Sequence, residues 1–401
     1  MTLNNSLKSY LFLLFLLLFF QAQTYSQQAF IPKDGDRIVL LGNGLIENEQ
    51  HYGFLEYRLT GFWPEKQLSF RNLGWSGDTV FGEARSYYTN PPSPYDLLIS
   101  QIKAAKPDWI IIGYGNVEAQ DGAEGLNHFK AGLNQLLDSV ASMAVKPILL
   151  STIPQAISGS DELLAKRNEA FLLYNQAIAE IAENRSLGYV DIFKAFNTND
   201  QMKHYENNGV HLNESGYLLL ADTLLEQLKL TTQIPSFTID ASSGAIESNV
   251  ATDNFTITDK SKGFSFNSTL HATSSPVAKS QSEGQKITAN GLKKGTYTLS
   301  IEGKLQAVGS RKEWEEGIAL VNGPSLQQSQ QLLKLIREKD KIYFQQYRPQ
   351  NRTYILGFRS HEQGRHKEGL AALDALIYWM DDQINQTKKP INAQYLMERL
   401  P

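Results

Sequence analysis

No cysteine occurs anywhere in the 401 residues. Disulfides, a thiol nucleophile, thiolate-bound zinc and lipid attachment at cysteine are all excluded. Excess charge of one sign is also missing: 38 Lys and Arg face 42 Asp and Glu, for a formal net charge of -4. With no Lys/Arg block carrying interleaved aromatics, nothing draws the chain to nucleic acid or to an anionic membrane. No repeat of fixed period points to a solenoid. Long apolar runs are absent but for one, Leu11 to Phe20. Lys8 precedes that run, and small or polar residues follow it through Thr24 and Ser26. The pattern is that of a signal peptide over residues 1–26, too short to stay as a spanning helix. It predicts a secreted or periplasmic protein with no permanent membrane span after cleavage.

What is present is ordinary globular composition, 41% hydrophobic and 20% charged. The length exceeds the roughly 250–300 residues at which one core stops growing, so at least two domains are expected. From Asp36 strands and helices alternate. The predicted strands are Arg37 to Gly42, Leu68 to Leu73, Asp108 to Gly113, Pro147 to Ser151 and Gly188 to Phe193. Between and after them fall helical patterns at Tyr52 to Phe62, Leu97 to Ala105, Leu126 to Met143, about Glu162 to Glu183 and about Glu214 to Leu228. Such an alternation builds a five-stranded parallel sheet covered on both faces, here over 33–230. Composition then shifts to Ser, Thr, Gly and alternating β-formers, which predicts a small antiparallel β-domain over 236–310. A helical C-terminal segment is expected over 311–401, with helices at Leu326 to Lys339 and Leu370 to Ile384.

Loops that follow the strands of one parallel sheet converge on one edge, where α/β proteins place their ligands. Three are Gly-punctuated: Gly42-Asn43-Gly44, Gly74 to Thr79, and Gly113 to Glu118. A fourth element, Asn208-Gly-Val-His211-Leu-Asn, precedes the last helix of the unit. In the second loop Gly77 can bring its N–H close to an oxyanion, having no Cβ in the way. Trp75 beside it offers a face on which a sugar ring can stack.

The order GNG … NLGWSGDT … GYGNVE … NNGVHLNESGY resembles the SGNH (GDSL) hydrolase family over about Asp36 to Leu230. The resemblance implies a flavodoxin-like three-layer α/β/α fold and cleavage of esters of lipids, acylated sugars or polysaccharides. It also implies His211 as the catalytic base and Gly77 as an oxyanion donor. Three departures stand out. The family's Gly-Asp-Ser, whose serine is the nucleophile, is here Gly42, Asn43 and Gly44, and glycine has no hydroxyl to acylate. The oxyanion asparagine is displaced by one residue to Asn116, ahead of Val117 and the acid Glu118. The aspartate three residues before the histidine is Asn208, a change that costs a Ser-His-Asp triad roughly 10⁴ in rate.

The expected ligand is a small-molecule or polysaccharide ester, with no cofactor. Three readings are open. In the first, His211 activates water in the space left by Gly44, Gly77 and Asn116 hold the oxyanion, and Asp78, Glu83 or Glu118 orients the base. In the second, a pocket including Asn43, Gly44, Trp75, Asp78 and Glu118 binds carbohydrate or acyl groups without cleavage. In the third, Ser76 or Ser151 supplies the nucleophile. His51, His128, His204 and His271 show no metal-ligand spacing, and no metal site is expected. The set Arg348, Arg352, Arg359 and Arg365, with Tyr347, Gln350 and Tyr354, is either a solvated or salt-bridged face, or a group that binds an anionic sugar or covers the pocket.

Overall fold

The strand β1 (Arg37–Gly42) shows why a parallel sheet forms. Ile38 and Leu40 bury on one face and Val39 and Leu41 on the other, the two-residue alternation of a strand with no solvent side. β3 (Trp109–Gly113) repeats it, with Trp109 and Ile111 against Ile110 and Ile112. In this computed structural model the described residues are 29–85, 92–157, 159–230, 235–259, 263–270, 285–320, 322–349, 359, 361–362 and 366–401. The segment expected to be a signal peptide lies outside them, as do His271, Gln350, Arg352, Tyr354 and Arg365. No helix among the described residues is long and apolar enough to cross a membrane.

The parallel sheet has the order β2-β1-β3-β4-β5, with β2 at Ser69–Asn72, β4 at Lys146–Leu150 and β5 at Gly188–Val190. Helices cover both faces, giving the three-layer α/β/α arrangement. One face carries α1 (Gly44–Tyr52), α2 (Phe54–Phe62) and, after the short α6 (Phe193–Phe196), α7 (Glu214–Gln227). The other carries α3 (Pro94–Ala105), α4 (Gly122–Ser142) and α5 (Asp161–Asn184). One helical boundary differs from expectation. The helix begins at Gly44, directly after β1, and breaks into two at Gly53, whose φ of 68 ends α1 in the left-handed region. A side chain at Gly53 would also press on Ile336, so glycine serves both the turn and the packing.

The strands described between Ser236 and Leu320, joined by one from near the C-terminus, form two sheets around one core. One has four strands, β7 (Ala245–Ser248), β6 (Ser236–Asp240), β10 (Gln285–Asn290) and β13 (Ile318–Leu320). The other has five, β8 (Thr252–Asp259), β9 (Gly263–Leu270), β14 (Ile391–Arg399), β11 (Thr296–Ile301) and β12 (Lys304–Ser310). A short helix, α8 (Arg311–Glu316), plugs the core between them with Trp314. The C-terminal segment is thus not helical throughout. Nine residues near its end, Ile391–Arg399, form the central strand of the second sheet, with Ala393, Tyr395 and Met397 turned inward at period two. The two long helices before it, α9 (Pro324–Tyr347) and α10 (His366–Thr387), leave the β unit and dock on the α/β unit. Leu332, Leu333 and Ile336 of α9 and Ile384 of α10 join the core under α1 and α2.

A charge cluster sealed from water sits in that docking surface. Arg71 of β2 makes a two-pronged pair with Asp381, at 2.7 and 3.1 Å. Lys339 donates to both oxygens of Glu56, at 2.5 and 2.6 Å, and lies 3.6 Å from Asp340 and 3.7 Å from Asp381. Three carboxylates therefore face two cations. Burial pushes Glu56 up to about 8 and raises Asp340, and the uncompensated negative charge favours one retained proton. A carboxyl whose folded pKa exceeds its unfolded one binds more proton folded than unfolded. Stability then falls as pH climbs out of the ordinary carboxylate range. Thermal melts from pH 5 to pH 8.5 should show that decline in the native chain and a shallower one in Asp340→Asn; equal slopes would contradict the charge count. Lys339→Ala strands Glu56 and should cost about 3–5 kcal/mol in denaturant titrations.

Candidate active site

β1 lies between β2 and β3, so the chain leaves the sheet in opposite directions on its two sides, and a crevice opens at its C-terminal end. Gly42 ends the strand where a Cβ would collide with the Gly113 backbone. Asn43 then caps α1, its Oδ1 accepting the Leu45 N–H at 3.1 Å, and Gly44 is the first helical residue.

The loop after β2 is held from several sides. Asn72 accepts the Gly74 N–H at 2.8 Å and donates to the Ile46 carbonyl at 2.7 Å. Asp78 is fully buried and bonds the Arg85 guanidinium at 2.8 Å and the Tyr114 hydroxyl at 2.7 Å. Burial raises its pKa, against the pull of Arg85. Glu118 accepts the Val80 and Gly115 N–H groups, both at 2.9 Å, and so ties the second loop to the third. Burial pushes it up to about 7 in spite of those donors. The Tyr347 hydroxyl donates to the Gly74 carbonyl, and Arg348 pairs with Glu47 and stacks 4.3 Å over Trp75. Fixed in this way, the loop presents Ser76 and Gly77 to the outside. Gly77 has φ 77, and nothing lies within 4 Å of where its Cβ would be.

His211 stands on a second rigid loop. Tyr205 and Leu212 bridge, the Glu206 N–H bonds the His211 carbonyl at 2.8 Å, and Gly209 turns the chain with φ 64. Asn208 Oδ1 accepts the Val210 and His211 N–H groups, both at 2.9 Å. Those two bonds orient its amide, and its Nδ2 faces His211 Nδ1 at 3.2 Å. Nδ1 is thereby the acceptor, and in the neutral ring the proton sits on Nε2. The nearest acid is Glu206, 3.9 Å from the same nitrogen.

These elements enclose a cleft of about 280 Å³. Asn43, Gly44, Ser76, Gly77, Asn116 and His211 all line it. Leu45, Val117, Ile153, Pro154, Phe171, Val210 and Leu212 supply apolar walls, and no charged side chain among the described residues lines it. Neither the Gly44 nor the Gly77 N–H finds an acceptor among the described residues. Asn43 Nδ2, buried beside them, also has no partner.

Several sequence expectations are not met by this geometry. Asn208 adjoins His211 without lining the cleft, and as a donor to Nδ1 it leaves Nε2 protonated, the wrong tautomer for a base. Asn116 reaches the cleft, but its amide is engaged with both the Ile153 carbonyl at 2.7 Å and the Ile153 N–H at 3.1 Å. Trp75, Asp78 and Glu118 do not line the cleft. The indole is packed under Arg348 and Tyr347, and the two carboxylates are spent on holding loops. Glu83 bonds Thr79, not His211. Ser151 is buried in backbone bonds to Thr152 and Phe193. Glu47 and Glu206 gave no sequence signal, because each acts through a contact that only the folded chain creates; Arg348, from the arginine set picked out in the sequence, packs on Trp75 and pairs with Glu47.

The GDSL-like Lipase/Acylhydrolase family model matches residues 44–219. Among solved structures, a gut microbial diltiazem-metabolizing enzyme is similar along nearly the whole length, covering 94% of this chain and 100% of that one, with 14% identity and a TM-score of 0.71. Its likeness bears on the fold, including the β unit and the docked helices. A catalytic mutant of an acetylxylan esterase from Geobacillus stearothermophilus covers 50% of this chain and 99% of its own, at 19% identity and a TM-score of 0.40. A GDSL-like lipase from Bacteroides thetaiotaomicron covers 48% and 88%, at 17% identity and a TM-score of 0.37. No curated protein matches the chain. With the family model running from α1 into α7 and the glycine and histidine loops gathered around one cleft, residues 44–219 form a domain of the SGNH/GDSL hydrolase superfamily.

Proposed function

We propose that the cleft binds the acyl group of a small uncharged ester, such as an acylated sugar, and hydrolyses it. The observation that carries this reading is the pair of free N–H groups of Gly44 and Gly77, two residues that line one cleft with largely apolar walls. Free backbone donors aimed at one spot favour the oxygen of a carbonyl, and favour it more as charge develops there. The uncharged walls disfavour a phosphate or carboxylate ligand, since no fixed cation would offset its desolvation. His211, with its proton on Nε2, is stationed as a donor to the alcohol side of the ester. An exported location fits the N-terminal pattern and an extracellular supply of such esters.

A second reading, binding without turnover, draws on the same Asn208–His211 contact, which removes the usual base. Hydrolysis of p-nitrophenyl acetate and calorimetry with an acetylated monosaccharide separate the two. His211→Ala should lower kcat/KM on the aryl ester by roughly 10²–10³; unchanged turnover would remove His211 from the site. Gly44→Ser with Asn208→Asp restores a hydroxyl and an acceptor for Nδ1–H. That double variant should exceed either single one by about 10³ or more. Simple additivity of the two changes would show that positions 44 and 208 do not act on one centre.

A further inference from the structure

The family's attacking position is empty at Gly44, but the closest hydroxyl to it is built for the same work. A Cβ placed on Gly44 would lie 3.4 Å from Ser76 Oγ. Ser76 Oγ donates to Glu47 Oε1 at 3.0 Å, and the Ser76 N–H is held by Glu47 Oε2 at 2.7 Å. Arg348 pairs with that same carboxylate at Oε2, leaving Oε1 to the Ser76 hydroxyl. The residue after Ser76 is Gly77, with its free N–H and positive φ. An oxyanion donor on the residue after the nucleophile, completed by an N–H from another loop, recurs in serine hydrolases of unrelated fold. Here the other loop supplies Gly44.

We propose that Ser76 is the nucleophile, with Glu47 as its base, so that the attack on the acyl carbon comes from the second loop instead of the first. The inference rests on the ester-hydrolase reading above and adds the attacking group. Ser76 Oγ forms the bond to the acyl carbon as its proton passes to the Glu47 carboxylate. The carbonyl oxygen takes up negative charge between the Gly77 and Gly44 N–H groups. Collapse breaks the bond to the alkoxy oxygen, which leaves with the proton from Glu47, while His211 Nε2–H hydrogen-bonds the departing oxygen. In the second half Glu47 takes a proton from water, the hydroxide attacks the acyl-Ser76 carbon, and Oγ departs with the proton returned. Arg348, paired with Glu47, is a positioning residue.

The test is covalent labelling with a fluorophosphonate, peptide mapping of the adduct, and p-nitrophenyl acetate turnover, on the full chain. The label should fall on Ser76. Ser76→Ala should abolish labelling and lower turnover at least roughly 10³-fold with an unchanged melting curve. Glu47→Gln should slow labelling at least tenfold. Because the chain has no cysteine, Ser76→Cys places its sole thiol there and gives a second check independent of Ala. That thiol should be alkylated by iodoacetamide and protected by an acetylated monosaccharide. Label at another residue, or native turnover in Ser76→Ala, overturns the assignment while leaving ester hydrolysis standing. Saturable binding with neither label nor turnover also overturns it and makes the cleft a receptor. Absence of both binding and turnover is the failure of the ester reading itself.

Discussion

A charge removed from water needs its counter-charge at a fixed place, and in this chain that requirement joins sequence-distant segments. Arg71 lies at the end of the strand that delivers the Ser76–Gly77 loop, and its partner Asp381 lies on α10. Lys339 of α9 finds Glu56 on α2. A buried pair of this kind is weak as a source of net stability but strict about geometry, because breaking it strands an ion. The same α9 ends in Tyr347, and Arg348 follows; the two hold Gly74 and Glu47. The loop that carries Ser76 and Gly77 is thus held by a tyrosine 273 positions further along the chain.

That constraint gives the β unit a structural role. The central strand of its second sheet, β14, follows α9 and α10 in sequence and enters the sheet only after they have crossed to the α/β unit and returned. Docking of the two helices is bracketed on both sides by strands of one sandwich. The gut microbial enzyme that shares this fold along its full length has the same overall arrangement.

Much of the fold was legible because parallel strands buried on both faces read as short apolar runs, as in Arg37 to Gly42 and Trp109 to Gly113. The sandwich strand at the C-terminus was not, since INAQYLMER places only Ala393, Tyr395 and Met397 inward between polar residues and follows a long helical pattern. At the site, glycine and histidine could be placed from sequence because φ above zero and a loop before a helix leave local marks. Residues acting through partners left none. Asp78 and Glu118 looked like site acids beside a glycine loop, yet each is consumed by buried donors. Glu47, in a helix the sequence pattern did not mark, bonds Ser76 and Arg348.

The account centres on Gly44 and Gly77 as joint receptors of an acyl oxygen. The most direct measurement is a crystal structure with an acetylated monosaccharide bound. It should place the acetyl carbonyl oxygen about 2.7–3.1 Å from both backbone nitrogens, with the acetyl methyl against the apolar wall. A sugar seated outside this cleft, or a carbonyl turned away from both N–H groups, would contradict the account.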